Sequence, residues 1–290
     1  MHKIKIFLLV VVCASLAVCR SEASFAGEEA TEQQQQQNVQ LTPAEAFILF
    51  SNEAEKGNAA AMLTLGNWYE RGVGTPRNFI KAFEWYQKAA LAGLPEGYYN
   101  VGVAYEEGMG NAGDPKKAFE AFEKSAELGL HQGLYKLAML YFTGTGVSKN
   151  EAWGLELLNR AADAGNMAAA NDLGMVYFQG LYGQGQDYKK AIEMFQRAAN
   201  LGNAEAMKNL AVFHRDGLGV EKDQAEELKW YLLASRAGFP IQPLKRAMDE
   251  IAGSIGEEKR AEVEKSVEAW IVDFQQRQQA QQQQQAQQRQ

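Results

Sequence analysis

Gly57-Asn58-Ala59-Ala60-Ala61-Met62-Leu63-Thr64-Leu65-Gly66-Asn67-Trp68-Tyr69-Glu70-Arg71-Gly72-Val73-Gly74 sets the fold of this chain, because the stretch returns in altered form. A glycine that follows an alanine-rich helix end recurs at Gly57, Gly93, Gly129, Gly165, Gly202 and Gly238. The intervals are 36, 36, 36, 37 and 36 residues. So constant a period means a repeat array, in which each unit is one supersecondary element that cannot bury its apolar face alone. In both halves of the first unit the apolar residues fall at i, i+3, i+4 and i+7, the second half ending Ala82-Phe83-Glu84-Trp85-Tyr86-Gln87-Lys88-Ala89-Ala90-Leu91-Ala92-Gly93. The spacing predicts two amphipathic helices per unit.

The punctuation between the helices agrees. Asn78, Asp114, Asn150, Asp187 and Asp223 share one repeat position just ahead of the second helix. Only Asn and Asp appear there, as an N-cap requires, since its side chain must accept from an orphaned backbone N–H. Pro115 follows Asp114 at the first helical position, where no donor is needed. The closing glycines supply the left-handed residue that ends a helix.

Columns of small residues mark where helices approach. Gly66, Gly102, Ala138, Gly174 and Ala211 form one in the first helix. Ala89-Ala90, Ser125-Ala126, Ala161-Ala162, Ala198-Ala199 and Ala234-Ser235 form another in the second. Beside them run large residues: Leu65, Val101, Leu137, Leu173, Leu210, and the tyrosines 69, 105, 141 and 177. Large against small is how interiors reach near-crystalline density.

The pattern Leu65-Gly66-x-x-Tyr69-x-x-Gly72-x-Gly74, then Lys81-Ala82-x-x-Trp85-Tyr86-x-x-Ala89-Ala90-x-x-Gly93, resembles the Sel-one-like repeat, a relative of the tetratricopeptide repeat. The resemblance covers five units, 57–93, 93–129, 129–165, 165–202 and 202–238, preceded by a half-unit at 43–57 that resembles an unpaired second helix. It implies an all-α fold, an α/α solenoid wound as a right-handed superhelix, used mainly for protein–protein contacts and often in secreted or envelope-associated bacterial proteins. Two positions depart from the pattern, both in the last unit. Glu227 stands where an alanine is usual, and the tyrosine column ends in His214.

The ends are different material. Residues 1–26 carry Lys3 and Lys5, then an apolar run from Ile6 to Val18, then small residues suited to signal peptidase at Ser21-Glu22-Ala23 and Ser24-Phe25-Ala26. This is the layout of a signal peptide, and the run is too short to span a bilayer. The chain is therefore expected to be exported, to a periplasm or beyond. Lipidation at Cys19 and an uncleaved anchor are the alternatives. Cys13 and Cys19 are the two cysteines, so a chain cut after Ala26 has no disulfide. Residues 27–42 and 275–290 are glutamine-rich and are expected to be disordered, having too little apolar surface to offset chain entropy. Helical continuation of the second tract, as a weak coiled-coil partner, is the alternative. Between array and tail, residues 239–274 hold two apolar helical faces, Leu244-Ala247-Met248-Ile251 and Val263-Val267-Trp270-Ile271, read as C-terminal capping helices. Ser254-Ile255-Gly256-Glu257 has the form of a capping box for the second.

Net charge argues against nucleic acid. The value of −7 becomes −9 once residues 1–26 leave with three basic residues and one acidic residue. No basic stripe remains to meet phosphate. No metal-ligand cluster, no Ser-x-x-Lys and no Gly-x-Ser-x-Gly occurs, so no catalytic residue, cofactor or metal is assigned and the chain is read as no enzyme. Of the remaining histidines, His214 is read as a half-buried stand-in for tyrosine and His131 as a solvated residue opening a helix. Gly72-Val73-Gly74, Gly108-Met109-Gly110, Gly144-Thr145-Gly146 and Gly217-Leu218-Gly219 follow helices rather than strands, and are inter-helix turns instead of nucleotide loops.

Binding is therefore the expected function. By analogy with the tetratricopeptide pattern, positions three before, one after and four after the small residue of each first helix line the concave surface. The middle units place Tyr99, Tyr135, Met139, Phe142, Asn171, Met175 and Phe178 there, with Glu70, Glu106, Lys208 and Arg215 at the borders. An aromatic and Met-rich centre with a polar rim suits a protein or peptide partner. The competing reading makes several of these residues core between units, Met139 and Met175 above all. A glycan or peptidoglycan ligand is the rival within binding, an envelope enzyme the rival outside it, and an adaptor multimerising through the glutamine tail a third.

Overall fold

The computed structural model describes residues 41–240 and 242–288, so the expected signal peptide and nearly all of the first glutamine-rich segment lie outside the described residues. Helix α1 (Pro43–Glu55) opens the array. Five helix pairs follow: α2 (Ala59–Arg71) with α3 (Phe79–Leu91), α4 (Pro95–Glu107) with α5 (Pro115–Glu127), and α6 (His131–Thr143) with α7 (Glu151–Asp163). The last two are α8 (Met167–Gln179) with α9 (Tyr188–Asn200), and α10 (Ala204–Asp216) with α11 (Gln224–Arg236). Then come α12 (Gln242–Ser254) and α13 (Glu257–Gln288). No strand occurs among the described residues. From α1 to α11 each helix packs on its neighbours in sequence, the arrangement of an α/α solenoid.

All five predicted N-caps of the second helices are in place. Asn78 Oδ1 accepts from the Lys81 N–H at 3.0 Å, and Asp223 accepts from Ala225 and Glu226 at 2.8 and 3.0 Å. Asp114, Asn150 and Asp187 do the same. Helix α1 has a capping box of its own, between Thr42 and Glu45. In the first helices Asn58, Asn166 and Asn203 cap three units, while Leu94 and Leu130 leave two uncapped by side chains. Asn166 also donates back to the His131 carbonyl at 3.2 Å, tying one unit to the one before.

The small columns do what their composition suggests. A Cβ at Gly102 would stand 2.7 Å from the Phe122 ring, and one at Gly174 2.5 Å from Phe195. In these units the first helix thus lies directly on a buried side chain of its own second helix. The second glycine of the Gly-x-Gly turns meets backbone instead. At Gly110 and Gly146 a Cβ would collide with the carbonyls of Phe79 and Pro115, the first residues of the preceding unit's second helix. These turns are packing joints between units.

Two expectations fail at the C-terminus. Residues 275–288, expected to be disordered, continue α13 as helix. Low apolar content prevents a core but not a helix, because glutamine and alanine are tolerated helix formers and the costly first turn is already supplied upstream. Ser254 forms no capping box either. It ends α12, donating to the Ile251 carbonyl at 2.8 Å, and Gly256, at φ +81°, precedes α13.

The apolar interior is uneven along the array. One continuous buried cluster runs from Ala126 to Val267, while the first units hold three smaller clusters around Leu65, Tyr86 and Phe122.

Candidate functional site

The stripe expected on the first helices exists as a mostly half-buried strip, with polar links running from unit to unit. Lys136 on α6 pairs with Glu106 on α4 at 2.5 Å. The Tyr135 hydroxyl donates to Asp172 Oδ2 on α8 at 2.9 Å, and the Asn209 amide on α10 donates to Asn171 Oδ1 at 3.2 Å. Asn171 in turn donates to Asp172 Oδ1 at 3.4 Å. These contacts bridge residues 30 to 38 apart, one unit each, so they hold successive first helices in register.

Electrostatics at the centre of the strip follow from partial burial. Desolvation pushes the Asp172 carboxyl up from its ordinary range, against the bonds it accepts from Tyr135 and Asn171. Burial and the adjoining Asp172 charge raise the Tyr135 phenol, which therefore stays a donor. No cluster that could hold a metal occurs among the described residues.

The expected site residues divide into two sets. Tyr99, Tyr135, Met139, Met175 and Phe178 are half-buried and present surface. Tyr99 leans on the Phe122 ring at 5.7 Å, and Phe178 on Phe213 at 5.4 Å. Phe142 and Asn171, each 9 % exposed, are not free surface. Phe142 lies over Gly154 and is covered by Tyr182, so it is core and not a groove anchor. Asn171 belongs to the polar links. Of the bordering charges, Glu70 is turned to structure, accepting from the Tyr86 hydroxyl at 2.6 Å.

Asp172, Lys136 and Asn209 were not among the expected residues. A signal for them exists: the position two before each small residue is Thr64, Asn100, Lys136, Asp172 and Asn209, polar in every unit. His131, expected to be solvated, is half-buried instead. Its Nδ1 has no hydrogen-bond partner, and burial lowers its pKa. His214 is half-buried in the tyrosine column, as its position required, with its Nδ1 also unpartnered. No described helix is long and apolar enough to cross a membrane.

Known proteins share the repeat and the fold. The sequence matches the Sel1 repeat over residues 59–94, 95–130, 131–166, 168–203 and 204–239. Among solved structures, a Sel1 repeat protein from Oxalobacter formigenes is similar at 28% identity with a TM-score of 0.67, covering 78% of this chain and 94% of that one. A protective antigen of uropathogenic Escherichia coli displaying an SLR fold is similar at 28% identity and a TM-score of 0.58, over 78% of this chain and 49% of the antigen. An immunity protein from Pseudomonas aeruginosa is similar at 25% identity and a TM-score of 0.51, over 69% and 76%. No curated protein matches. Sel1 repeat proteins are generally scaffolds for protein interaction and not enzymes. With five consecutive repeats matched over more than half its length, the chain belongs to the Sel1 repeat family.

Proposed function

We propose that this protein is exported and holds a peptide segment of a protein partner along its first-helix strip, with Tyr99 and Tyr135 as the main anchors. One observation carries the reading. Half-buried aromatic and methionine side chains from consecutive units sit on helices locked together by Glu106–Lys136, Tyr135–Asp172 and Asn171–Asn209. Anchors held in this way lose little freedom on binding, which is how a small aromatic cluster comes to dominate an interface. Asp172 gives the strip a carboxylate at its centre whose two oxygens already accept hydrogen bonds, so it orients the partner more than it attracts it.

The test starts from cross-linking of the protein in its own envelope fraction, to name a partner. Replacing Tyr99 and Tyr135 together by alanine should then abolish capture while circular dichroism still reports a folded array. A folded double variant that captures the partner as well as wild type would place binding elsewhere. Export rests on the basic start, apolar run and small-residue sites of residues 1–26. Mass spectrometry of the cell-derived protein should find an N-terminus beyond Arg20 and no later than Gly27. A full-length cytoplasmic product would overturn it, and a diacylated Cys19 would make the protein a lipoprotein.

A further inference from the structure

The tyrosine column of the first helices has a second partner that recurs. Lys81 stands over Tyr69 with its ammonium 5.3 Å from the ring centroid, Lys117 over Tyr105 at 5.5 Å, and Lys190 over Tyr177 at 5.3 Å. Each lysine occupies the same place, three residues after the N-cap of its second helix. A cation over an aromatic face is attracted by the ring quadrupole. In the third unit the tyrosine is set like its counterparts: Tyr141 meets Phe119 edge-on at 5.6 Å, as Tyr69 meets Phe47 and Tyr105 meets Phe83 at 5.2 Å. The lysine, however, is missing. Trp153 takes its position and is 42% exposed.

Beside Trp153, a cleft of about 190 Å³ opens between α5 and α7, with Tyr141, Trp153 and the nearly buried Leu134 and Leu157 in its walls. Two carboxylates line it, Glu123 and Glu127, against one guanidinium, Arg160. Glu127 is paired with Lys124 at 2.6 Å, whereas Glu123 enters no ion pair among the described residues.

We propose that this cleft takes a lysine side chain of a protein partner, its ammonium over Tyr141 and near Glu123, its methylenes along Trp153. The chain itself supplies the precedent, since three other units place their own lysine against the equivalent ring. The lining also fits the group: an aliphatic stem packs on the exposed indole while its charged head stays at the rim. Trp is the aromatic that attracts a cation most strongly. This site is separate from the first-helix strip and stands or falls independently of it.

The probes are two blocked tripeptides, N-acetyl-Gly-Lys-Gly-amide and the same peptide with norleucine, titrated into the protein carrying labelled leucine methyls. The lysine peptide should shift the Leu134 and Leu157 methyl signals saturably, in the millimolar range expected of one side chain. The norleucine peptide should bind at least several-fold more weakly. W153K should rebuild the lysine column from within and abolish the response, with melting temperature kept or raised. E123Q, a second variant that leaves the fold's contacts intact, should weaken lysine binding several-fold and leave norleucine unchanged. Equal response to both peptides, no response to lysine, or an undiminished response in E123Q would overturn the proposal. So would an undiminished response in a folded W153K.

Discussion

Tyr182 stacks on Phe142, with ring centroids 4.1 Å apart and planes within 16° of parallel. The two rings are 40 positions apart in sequence and belong to different units. Tyr182 is the one non-glycine residue with positive φ among the described residues, at +56°. It lies in the turn of the fourth unit, where six residues lie between Gly180 and the N-cap Asp187 against five between Gly144 and Asn150. The interval of 37 thus has a structural use: the extra residue swings a tyrosine back over the preceding unit.

Strain and stacking oppose each other at Tyr182, and this sets the first prediction. A left-handed conformation costs a non-glycine residue about 1 kcal/mol or more, while an aromatic pair contributes about 0.5–1.5 kcal/mol beyond the area it buries. Y182A should lose the stacking and keep the strain, lowering stability by about 1–2 kcal/mol. Y182G should lose less, reversing the order usual for alanine and glycine. Urea unfolding of the two variants checks this, and a Y182G less stable than Y182A would refute it.

Gly102 and Gly129 should fail for different reasons when replaced by alanine. At Gly102 the obstacle is the Phe122 ring, 2.7 Å from the new Cβ, and overpacking of this kind costs about 1–3 kcal/mol. At Gly129 nothing lies within 4 Å, and the obstacle is a φ of +87°. F122L should therefore recover part of the loss in G102A and none of it in G129A. A double-mutant cycle by thermal melting separates the two.

Acidification should weaken the array through its two half-buried histidines. Burial lowers the pKa of both His131 and His214; at His214 the charges of Glu226 and Asp223 oppose it and Lys229 adds to it. Both imidazoles thus take up a proton less readily in the folded chain than in the unfolded one. Their contribution is complete above the unfolded value, about 6.5, and is lost as pH falls through that value toward the lower folded ones. Asp172 and Glu227 are shifted upward by burial and act in the opposite sense. H214Y should raise the melting temperature at neutral pH, by removing an unpartnered buried nitrogen, and should shrink the fall between about pH 7 and 5.5. An identical fall in the variant would exclude His214 as a cause.

The last helix should divide into a docked stem and a free extension. Phe274 reaches Gly202 and stacks on Trp270 at 5.2 Å, and Arg277 donates to the Asn200 carbonyl at 3.3 Å. Ending the chain after Gln278 should leave the melting temperature unmoved. Ending it after Asp273 removes a large aromatic contact and should cost about 1–3 kcal/mol. Equal stability of the two truncations would show that Phe274 and Arg277 do not dock.

Much of this was legible because repeats turn three-dimensional relations into columns. The Asn/Asp position at 78, 114, 150, 187 and 223 could be read as caps because an N-cap depends on its own turn alone. The column Gly66, Gly102, Ala138, Gly174, Ala211 likewise needs only a helix neighbour one segment away. Phe142 was illegible for the converse reason: what buries it is a ring from another unit's turn, in a conformation that tyrosine rarely adopts. Ser254 matched a capping box by spacing, yet its hydroxyl stayed with the carbonyl of Ile251 in its own helix, a local competition that sequence spacing does not decide.

The uneven interior gives the solenoid a direction. From Ala126 onward the buried side chains form one connected body that includes the packing face of α13, whereas the first helices hold three separate patches, the last reaching Leu140 on α6. Openings that pass from neighbour to neighbour will therefore begin at α1 and halt near α6. Native-state hydrogen exchange should accordingly rise in protection from α2 to α10. The binding strip proposed above would thus have a pliant end at the first units and a rigid one at the last.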